Sequence, residues 1–276
     1  MTSHDVVAVV RRRLQLESVG HTGTLDPFAT GLMVLLLGPA TRLGRFAPTD
    51  PKRYRAVAQL GFATTTDDLT GEPLGPPWSG EWPSRERVES ALAEMVGLTP
   101  QRPPAFSAKK VRGVRSHRLA RRLGAAAVTL DPVVVRIDAL EVEEYQPPLL
   151  AFAAQVGPGT YLRSIARDLG ERLGTGAHLR ALQRDQVGPF RIESAVPLDQ
   201  VDAASPRLSV LELLGTMPRV AVTVEDATAL RHGQCIGEAA EEARLSALVL
   251  DQEVVAIGRP ERGRWQPTVV LAGGGG

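Results

Sequence analysis

The sequence contains one cysteine, Cys235, among 276 residues. A single thiol excludes an internal disulfide framework and is typical of a reducing cytoplasm, the compartment that we expect. Long apolar runs are also lacking. The most apolar, LMVLLL at 32–37, is far shorter than the roughly 20 residues that cross a bilayer, so it predicts a buried strand and no membrane association.

Metal and nucleotide motifs are lacking as well. The five histidines are not spaced as metal ligands are, and none of the Gly-rich phosphate motifs of nucleotide-binding proteins occurs. We therefore expect no metal and no cofactor.

Acidic residues are absent from one stretch, although the formal net charge of the whole chain is only +1. Between Gln101 and Leu130 no Asp or Glu occurs, and the basic residues there are Arg102, Lys109, Lys110, Arg112, Arg115, His117, Arg118, Arg121 and Arg122. A segregated basic segment in a nearly neutral protein indicates a surface for a polyanion. A solvated helix face with no partner is the alternative.

The apolar pattern predicts an α+β fold, because strands and helices alternate without regular βαβ spacing. Helices are expected at 3–16, 84–96, 160–173 and 225–231, and strands at 54–61, 133–145 and 152–156. Short strands with Gly turns follow at 219–224, 248–250, 254–257 and 268–271.

The segment GHTGTLDPFATG at 20–31 carries the densest chemical signal. Its glycines and its proline predict a tight loop, from which one imidazole, His21, and one carboxylate, Asp26, project. Taken alone, such a loop more often has a structural role, in which Asp26 caps a turn and His21 is an ordinary loop histidine.

This loop resembles the catalytic loop of bacterial tRNA pseudouridine-55 synthases of the TruB type. Further matches to that family follow in the same order: KRYRA at 52–56, LG at 60–61, DDLTG at 67–71, PPAFSAK at 103–109, GVR at 113–115, GTYLRS at 159–164, DLG at 168–170 and AHL at 177–179, leading to Leu182 and Arg184. The resemblance covers nearly the whole chain. Several motifs in one order are more specific than any one of them.

The resemblance implies a pseudouridine synthase core built on a mixed, mainly antiparallel sheet with flanking helices, plus a small C-terminal β-rich PUA-like domain. The expected domains are a catalytic domain at 1–200 with an inserted basic subdomain at about 101–130, a linker at 201–217 and a PUA-like RNA-binding module at 218–272. Family members begin with a strand carrying a Lys-Pro-x-Gly turn, which this sequence lacks before TSHD at 2–5. We expect a start codon assigned too late, and activity of the chain without that strand is left open.

The resemblance also assigns catalytic roles. Asp26 matches the essential aspartate, which attacks the nucleoside or removes a ribose proton, and Arg163 matches the arginine that pairs with it. Such a pairing makes chemical sense, since an adjacent guanidinium favours and orients the carboxylate anion. Tyr54 matches the tyrosine that stacks on the target base and is a candidate for the final proton removal from C5.

The remaining roles concern substrate binding. Tyr161 and Leu182 match residues that line the base pocket, and His21 matches the histidine that enters the T-loop where the target base has left the stack. The basic segment, including Lys109, Lys110 and Arg112, is expected to contact phosphates of the T arm without reading sequence.

The implied function is isomerisation of uridine 55 in the T-loop of tRNA to pseudouridine by base flipping, carried out by a monomer. The alternative from another class is a non-catalytic RNA-binding protein that helps tRNA to fold, because a PUA-like module and a basic segment would serve that role equally well. A carboxylate hydrolase is a weaker third reading, since no second acid is placed as a partner for Asp26.

Overall fold

The computed structural model describes residues 1–107, 109–111, 113–240 and 242–271. The α-helices in these ranges are α1 (Ser3–Arg13), α2 (Arg85–Ala93), α3 (Ser116–Leu123), α4 (Leu162–Leu173), α5 (Val210–Leu214) and α6 (Val224–Arg231). The strands are β1 (Val19–His21), β2 (Thr30–Gly31), β3 (Leu35–Leu37), β4 (Lys52–Leu60), β5 (Ala63–Thr64), β6 (Pro73–Leu74), β7 (Gly97–Gln101), β8 (Lys110–Val111), β9 (Val114–Arg115), β10 (Val133–Gln146), β11 (Leu149–Val156), β12 (Ala177–Val187), β13 (Phe190–Arg191), β14 (Arg219–Ala221), β15 (Ile236–Glu238), β16 (Ser246–Leu250), β17 (Glu253–Glu261) and β18 (Arg264–Val270).

Contacts divide the chain into two compact units. The first unit contains residues 1–27, 33–48 and 194–276, and the second contains residues 28–32 and 49–193. None of the helices in the described ranges combines the length and the apolar character that crossing a membrane would require.

The second unit is built on a mixed sheet with the strand order β13-β12-β4-β11-β10-β7, to which β2 adds beside β12. The neighbours along this order are antiparallel, whereas β2 pairs with β12 in parallel. The strongly alternating burial along β4 and β11 places one face of each strand against the core. Phe152, Leu150 and Ala58 are fully buried there.

Helix α4 packs on this sheet against β12 and β4, and against α2. Its apolar side chains Leu162, Ile165, Ala166 and Leu169 recur at helical spacing and are all buried. The helix ends at Gly174, which adopts the left-handed conformation that favours glycine at this position. This packing fixes the position of α4 on the sheet. Arg163 lies in the first turn of the helix.

In the first unit, β1 pairs antiparallel with β3, and α1 packs against β1. The C-terminal part of this unit is a five-stranded sheet with the order β14-β16-β17-β18-β15. Helix α6 packs on it, and the buried core there includes Leu230, Leu248, Ala256 and Trp265. The side chain of Arg42 donates to the carbonyl of Val270 at 2.5 Å, which joins the early and late segments of the unit.

The predicted fold class is confirmed: a mixed, mainly antiparallel sheet with flanking helices precedes a C-terminal β-rich domain. The assignment of that domain to the PUA type and the predicted domain limits remain predictions, and the last residue of the predicted module, Ala272, lies outside the described residues. The apolar run at 32–37 forms a strand only at 35–37.

One glycine in α4 yields a stability prediction. A Cβ on Gly170 would lie 2.2 Å from the backbone nitrogen of Ala177, where β12 begins. Alanine is ordinarily the better helix residue by about 1 kcal/mol. Here we expect Gly170→Ala to lower the free energy of unfolding by about 2 kcal/mol or more, because helix and strand must separate to admit the methyl group. Urea unfolding would measure the change.

Gly44→Ala is the matched control. Gly44 has helical dihedral angles, and its Cβ would lie 3.4 Å from a methyl carbon of Leu36, an ordinary contact. We expect its free energy of unfolding to change by less than about 0.5 kcal/mol or to rise. Equal effects of the two substitutions would contradict the close approach at Gly170.

Candidate active site

Asp26 lies in an irregular loop whose upstream side is held by hydrogen bonds. The backbone of Thr22 donates to the carbonyl of Val34 at 3.1 Å, which extends the β1–β3 pairing by one residue. Further along, the hydroxyl of Ser3 accepts from the backbone N–H of Leu25 at 2.9 Å and donates to the carbonyl of Leu25 at 3.2 Å. Asp26, the next residue, is half-buried.

The downstream side of the loop is held in the second unit. Thr30 and Gly31 pair with Gln183 and Arg184 of β12, and the N–H of Leu32 donates to the carbonyl of Arg184 at 2.7 Å. A Cβ on Gly31 would lie 2.4 Å from that same oxygen, so only glycine permits this pairing. The buried side chain of Arg184 returns a hydrogen bond from Nε to the carbonyl of Leu32 at 2.9 Å.

Tyr54 and Leu182 lie together on one face of the sheet. In the β4–β12 register Tyr54 is opposite Arg184 and Ala56 is opposite Leu182, so the tyrosine and the leucine are diagonal neighbours. Both side chains are buried. Lys52 points to the same face two residues earlier, and burial, reinforced by the charge of Arg184, lowers the pKa of its ammonium group.

Arg163 is 4% exposed, and its guanidinium contacts the loop between β5 and β6 as well as the chain at Phe106. Nη1 donates to the carbonyl of Thr66 at 3.1 Å, and Nη2 donates to the carbonyl of Phe106 at 3.0 Å. Nε lies 3.7 Å from Oδ2 of Asp68. These contacts fix the plane of the guanidinium, which is what a residue that orients a second group requires.

Asp68 is itself held by the loop between β5 and β6. Its Oδ1 accepts from the hydroxyl of Thr66 at 2.6 Å, from the hydroxyl of Thr70 at 2.6 Å and from the N–H of Thr70 at 2.9 Å. The sequence matched the motif at 67–71 to the family without giving Asp68 a role. In the sequence, the one feature that could have indicated a role for Asp68 is that two adjacent aspartates lie close to several threonines.

A second, partly buried ionic cluster lies one helical turn further along α4. Arg167 Nη1 contacts Oδ2 of Asp67 at 3.0 Å, and the Nε and Nη2 atoms of Arg167 contact Oδ1 of Asp168 at 2.8 and 2.7 Å. Burial raises the pKa of the Asp67 carboxyl, while the charges of Arg167 and Arg163 oppose that shift. This network holds the 64–71 loop against the helix that carries Arg163.

Tyr161 directly precedes α4, and its backbone is held by Gln101. The N–H of Tyr161 donates to Oε1 of Gln101 at 2.9 Å, and Nε2 of Gln101 donates to the carbonyl of Tyr161 at 3.2 Å. Arg102 follows Gln101 in the sequence. Its carbonyl accepts hydrogen bonds from the Ser164 hydroxyl and from Nη2 of Arg167, both at 2.8 Å. Residues 101–106, which form the stem of the basic segment, are therefore attached to the start of α4.

Beyond this stem the basic side chains face solvent. Lys109, Arg115, Arg118, Arg121 and Arg122 are exposed, the last three on α3. Arg112, which the sequence predicts as a phosphate contact, lies outside the described residues, and only the backbone of Lys110 is described. The structure thus provides a solvent-facing cationic surface within 109–122.

The predicted site residues lie in both units: His21 and Asp26 in the first, and Tyr54, Tyr161, Arg163 and Leu182 in the second. The proximity of Tyr54 and Leu182 follows from the sheet register, whereas the pairing of Asp26 with Arg163 stays a prediction. Among the described residues, no group of His, Cys, Asp and Glu side chains is arranged to hold a metal ion.

Comparison with known proteins identifies the family. The model of the TruB family pseudouridylate synthase N-terminal domain matches residues 11–162, and that of the tRNA pseudouridylate synthase B C-terminal domain matches residues 163–210. Among curated relatives, tRNA pseudouridine synthase B of Thermobifida fusca is 38% identical over 99% of this chain and 95% of its own. The protein of the same name from Opitutus terrae is 40% identical over 73% of this chain and 83% of its own.

Solved structures share the fold. A chain in a Cbf5-Nop10-Gar1 complex superposes with a TM-score of 0.70 at 24% identity, covering 99% of this chain and 82% of that one. A chain in an H/ACA RNP bound to a substrate RNA containing 2′-deoxyuridine gives a TM-score of 0.69 at 22% identity, with the same coverage. On the strength of the two family matches and the curated relatives, the chain belongs to the TruB family of pseudouridylate synthases and is an isomerase.

Proposed function

We propose that this protein isomerises uridine 55 in the T-loop of tRNA to pseudouridine, with Asp26 as the reacting carboxylate. The observation that carries the proposal is the similarity, over 99% of the chain, to relatives named tRNA pseudouridine synthase B. The placement of Asp26 supports it, because a half-buried carboxylate on a loop held at Leu25 and at Gly31 has little freedom to move.

The reaction needs no external reactant, because substrate and product are isomers. The Asp26 carboxylate either attacks C1′ of the ribose or removes a proton from C2′, and in both routes the N1–C1′ bond breaks. The uracil then rotates so that C5 faces C1′ and a C5–C1′ bond forms. This bond displaces the carboxylate from C1′ in the first route and is accompanied by return of the proton to C2′ in the second. A base removes the proton from C5, and N1 of the uracil takes up a proton. A carboxylate does this work best as an oriented anion in a site with little water.

Arg163 is proposed to orient that anion. Its contacts with Thr66, Phe106 and Asp68 hold the guanidinium rigidly, and a guanidinium beside a carboxylate favours the ionised form. A lysine would carry the same charge but could not present several donors in one plane. The proposed pairing therefore depends on arginine at this position.

The face of the sheet that carries Tyr54 and Leu182 is proposed to receive the target base. A uridine within a folded T-loop cannot expose C1′ and C5 together, so it must be flipped out at a cost of a few kcal/mol. Stacking on Tyr54 would return about 1–3 kcal/mol. Leu182 and Tyr161 complete the pocket in this proposal, and His21 occupies the space that the base leaves.

The exposed cations of the basic segment are proposed to bind phosphates of the T arm. Lys109 and the arginines of α3 face solvent, so they can approach the backbone of the RNA without a rearrangement of the core. Such contacts place the tRNA but do not read its sequence. The C-terminal β-rich domain is proposed to act as a PUA-like module on the same tRNA, and the enzyme to act as a monomer.

The first test concerns Asp26. We expect Asp26→Asn to reduce the single-turnover rate of pseudouridine formation by at least about a thousandfold, because the amide is neither a nucleophile nor a base. Its tRNA affinity should change little. Pseudouridine mapping of treated tRNA and a filter-binding titration would measure the two quantities.

Asp251→Asn serves as the control, because it removes the same charge from an exposed turn of the C-terminal sheet where asparagine also tolerates the positive φ of 46°. It should be fully active. Equal modification of tRNA by wild type and by Asp26→Asn would remove Asp26 from the mechanism. Absence of pseudouridine with every variant, together with tight tRNA binding, would favour the folding-chaperone alternative.

The second test concerns the basic segment. We expect the double substitution Lys109→Glu with Lys110→Glu to weaken tRNA binding and to flatten its salt dependence, since each lost phosphate contact removes roughly one unit from the slope of log K against log salt. Affinities measured between about 50 and 200 mM salt would determine the slope.

The control is Arg85→Glu with Arg87→Glu, which changes the charge equally on the exposed side of α2. The charge reversal should leave the salt slope close to the wild-type value. Identical slopes for all three proteins would reject a phosphate-binding role for the basic segment.

A further inference from the structure

Ser3 makes an unusual pair of contacts for a residue in the first turn of a helix. Only 6% of its surface is exposed, and its hydroxyl both accepts from the N–H of Leu25 and donates to the carbonyl of Leu25. The two residues are 22 positions apart in the sequence, so these hydrogen bonds are tertiary. They join the start of α1 to the residue that directly precedes Asp26.

Capping of α1 does not explain these contacts, because other residues perform it. The hydroxyl of Thr2 accepts from the N–H of Asp5 at 3.2 Å, and the carboxylate of Asp5 accepts from the N–H of Thr2 at 2.8 Å. This reciprocal pair is a complete capping box. The Ser3 hydroxyl is thereby left to serve the Leu25 backbone.

The position of Leu25 matters because no strand pairing supports the chain there. Between the end of β1 at His21 and the start of β2 at Thr30 the backbone is irregular. Both polar groups of the Leu25 peptide backbone are bound by one hydroxyl, which restricts that residue from its amino and its carbonyl side. The Cα of Asp26 follows one planar peptide unit later, so its position is restricted as well.

We propose that Ser3 is a positioning residue for the carboxylate of Asp26. The inference rests on the proposed function, in which that carboxylate is the reacting group. A displacement of about 1 Å at a reacting group can lower a rate about a hundredfold. Ser3 touches neither the substrate nor the reacting atoms in this proposal and acts through Leu25 alone.

The chemistry of the contact limits which residues can make it. A hydroxyl carries one donor and two acceptor sites, so it can serve an N–H and a carbonyl at once. Alanine can serve neither, and water would then compete for both groups of Leu25. Threonine keeps the hydroxyl and is the conservative replacement.

The test compares Ser3→Ala with Thr2→Ala, which loosens the same helical turn but leaves the Ser3–Leu25 contacts in place. With full-length protein and saturating tRNA, we expect Ser3→Ala to lower the single-turnover rate between about tenfold and a hundredfold with an unchanged dissociation constant for tRNA. Thr2→Ala should stay within about twofold of wild type, and Ser3→Thr should recover most of the lost rate.

Amide hydrogen exchange supplies a readout that does not depend on activity. The N–H of Leu25 should exchange at least about tenfold faster in Ser3→Ala than in wild type or in Thr2→Ala, because its acceptor is lost. Faster exchange of Leu25 together with a wild-type rate of catalysis would overturn the positioning role. Equal losses of rate in Ser3→Ala and Thr2→Ala would also overturn it, since the effect would then belong to the helix.

Failure of the proposed function would look different. If Asp26→Asn retained full activity, the assignment of Asp26 would fail whatever Ser3 does. If Asp26→Asn were inactive and Ser3→Ala fully active, the inference about Ser3 alone would fail.

Discussion

A buried guanidinium requires hydrogen-bond partners, and that requirement organises the second unit around Arg163. Removed from water, this charge would be costly without acceptors on several sides. Two backbone carbonyls accept hydrogen bonds from the guanidinium, and the carboxylate of Asp68 lies 3.7 Å from its Nε; these groups come from the 64–71 loop and from the stem of the basic segment. Three parts of the chain that are distant in sequence are therefore joined at one side chain.

The loop that carries Asp26 depends on a different kind of constraint. It lies between strands β1 and β2, and the contacts that hold it include the hydroxyl of Ser3 on Leu25 and the pairing of Gly31 with Arg184. Each anchor depends on one chemical feature of its residue, a buried hydroxyl in one case and the absence of a Cβ in the other. Strict local geometry of this kind is typical of loops that present a reacting group.

Much of the fold could be predicted from the sequence, because its strongest elements have regular periods. Helix α4 has its core-side residues at helical spacing, and β10 is a run rich in Val and Ile. The sequence did not predict strand β12, although it is an interior strand of the sheet, between β13 and β4. Its two register shifts break the alternation of buried and exposed residues, and Arg184 is buried at a position where charge indicates solvent. The apolar run at 32–37 is a strand only in its second half. Leu32, at its start, follows β2 and donates its N–H to the carbonyl of Arg184.

Of the candidate site, only the residues that lie in family motifs could be predicted from the sequence. Asp26, Tyr54 and Arg163 were found through their family resemblance, whereas Asp68, Gln101 and Ser3 act through contacts between segments far apart in sequence. Polar residues of these types occur throughout any surface. No periodicity or spacing distinguishes those that hold another residue in place from those that face water.

The four-residue spacing of Arg163 and Arg167 limits how this gene can change length. Both arginines lie on one side of α4, and each bonds to the 64–71 loop and to the stem of the basic segment. A codon inserted or deleted between them would rotate one guanidinium by about 100° relative to the other, because each residue turns the helix by that angle. The ion pair of Arg163 and those of Arg167 could not then form together. Indels should therefore be tolerated in the exposed part of the basic segment but not in the first two turns of α4.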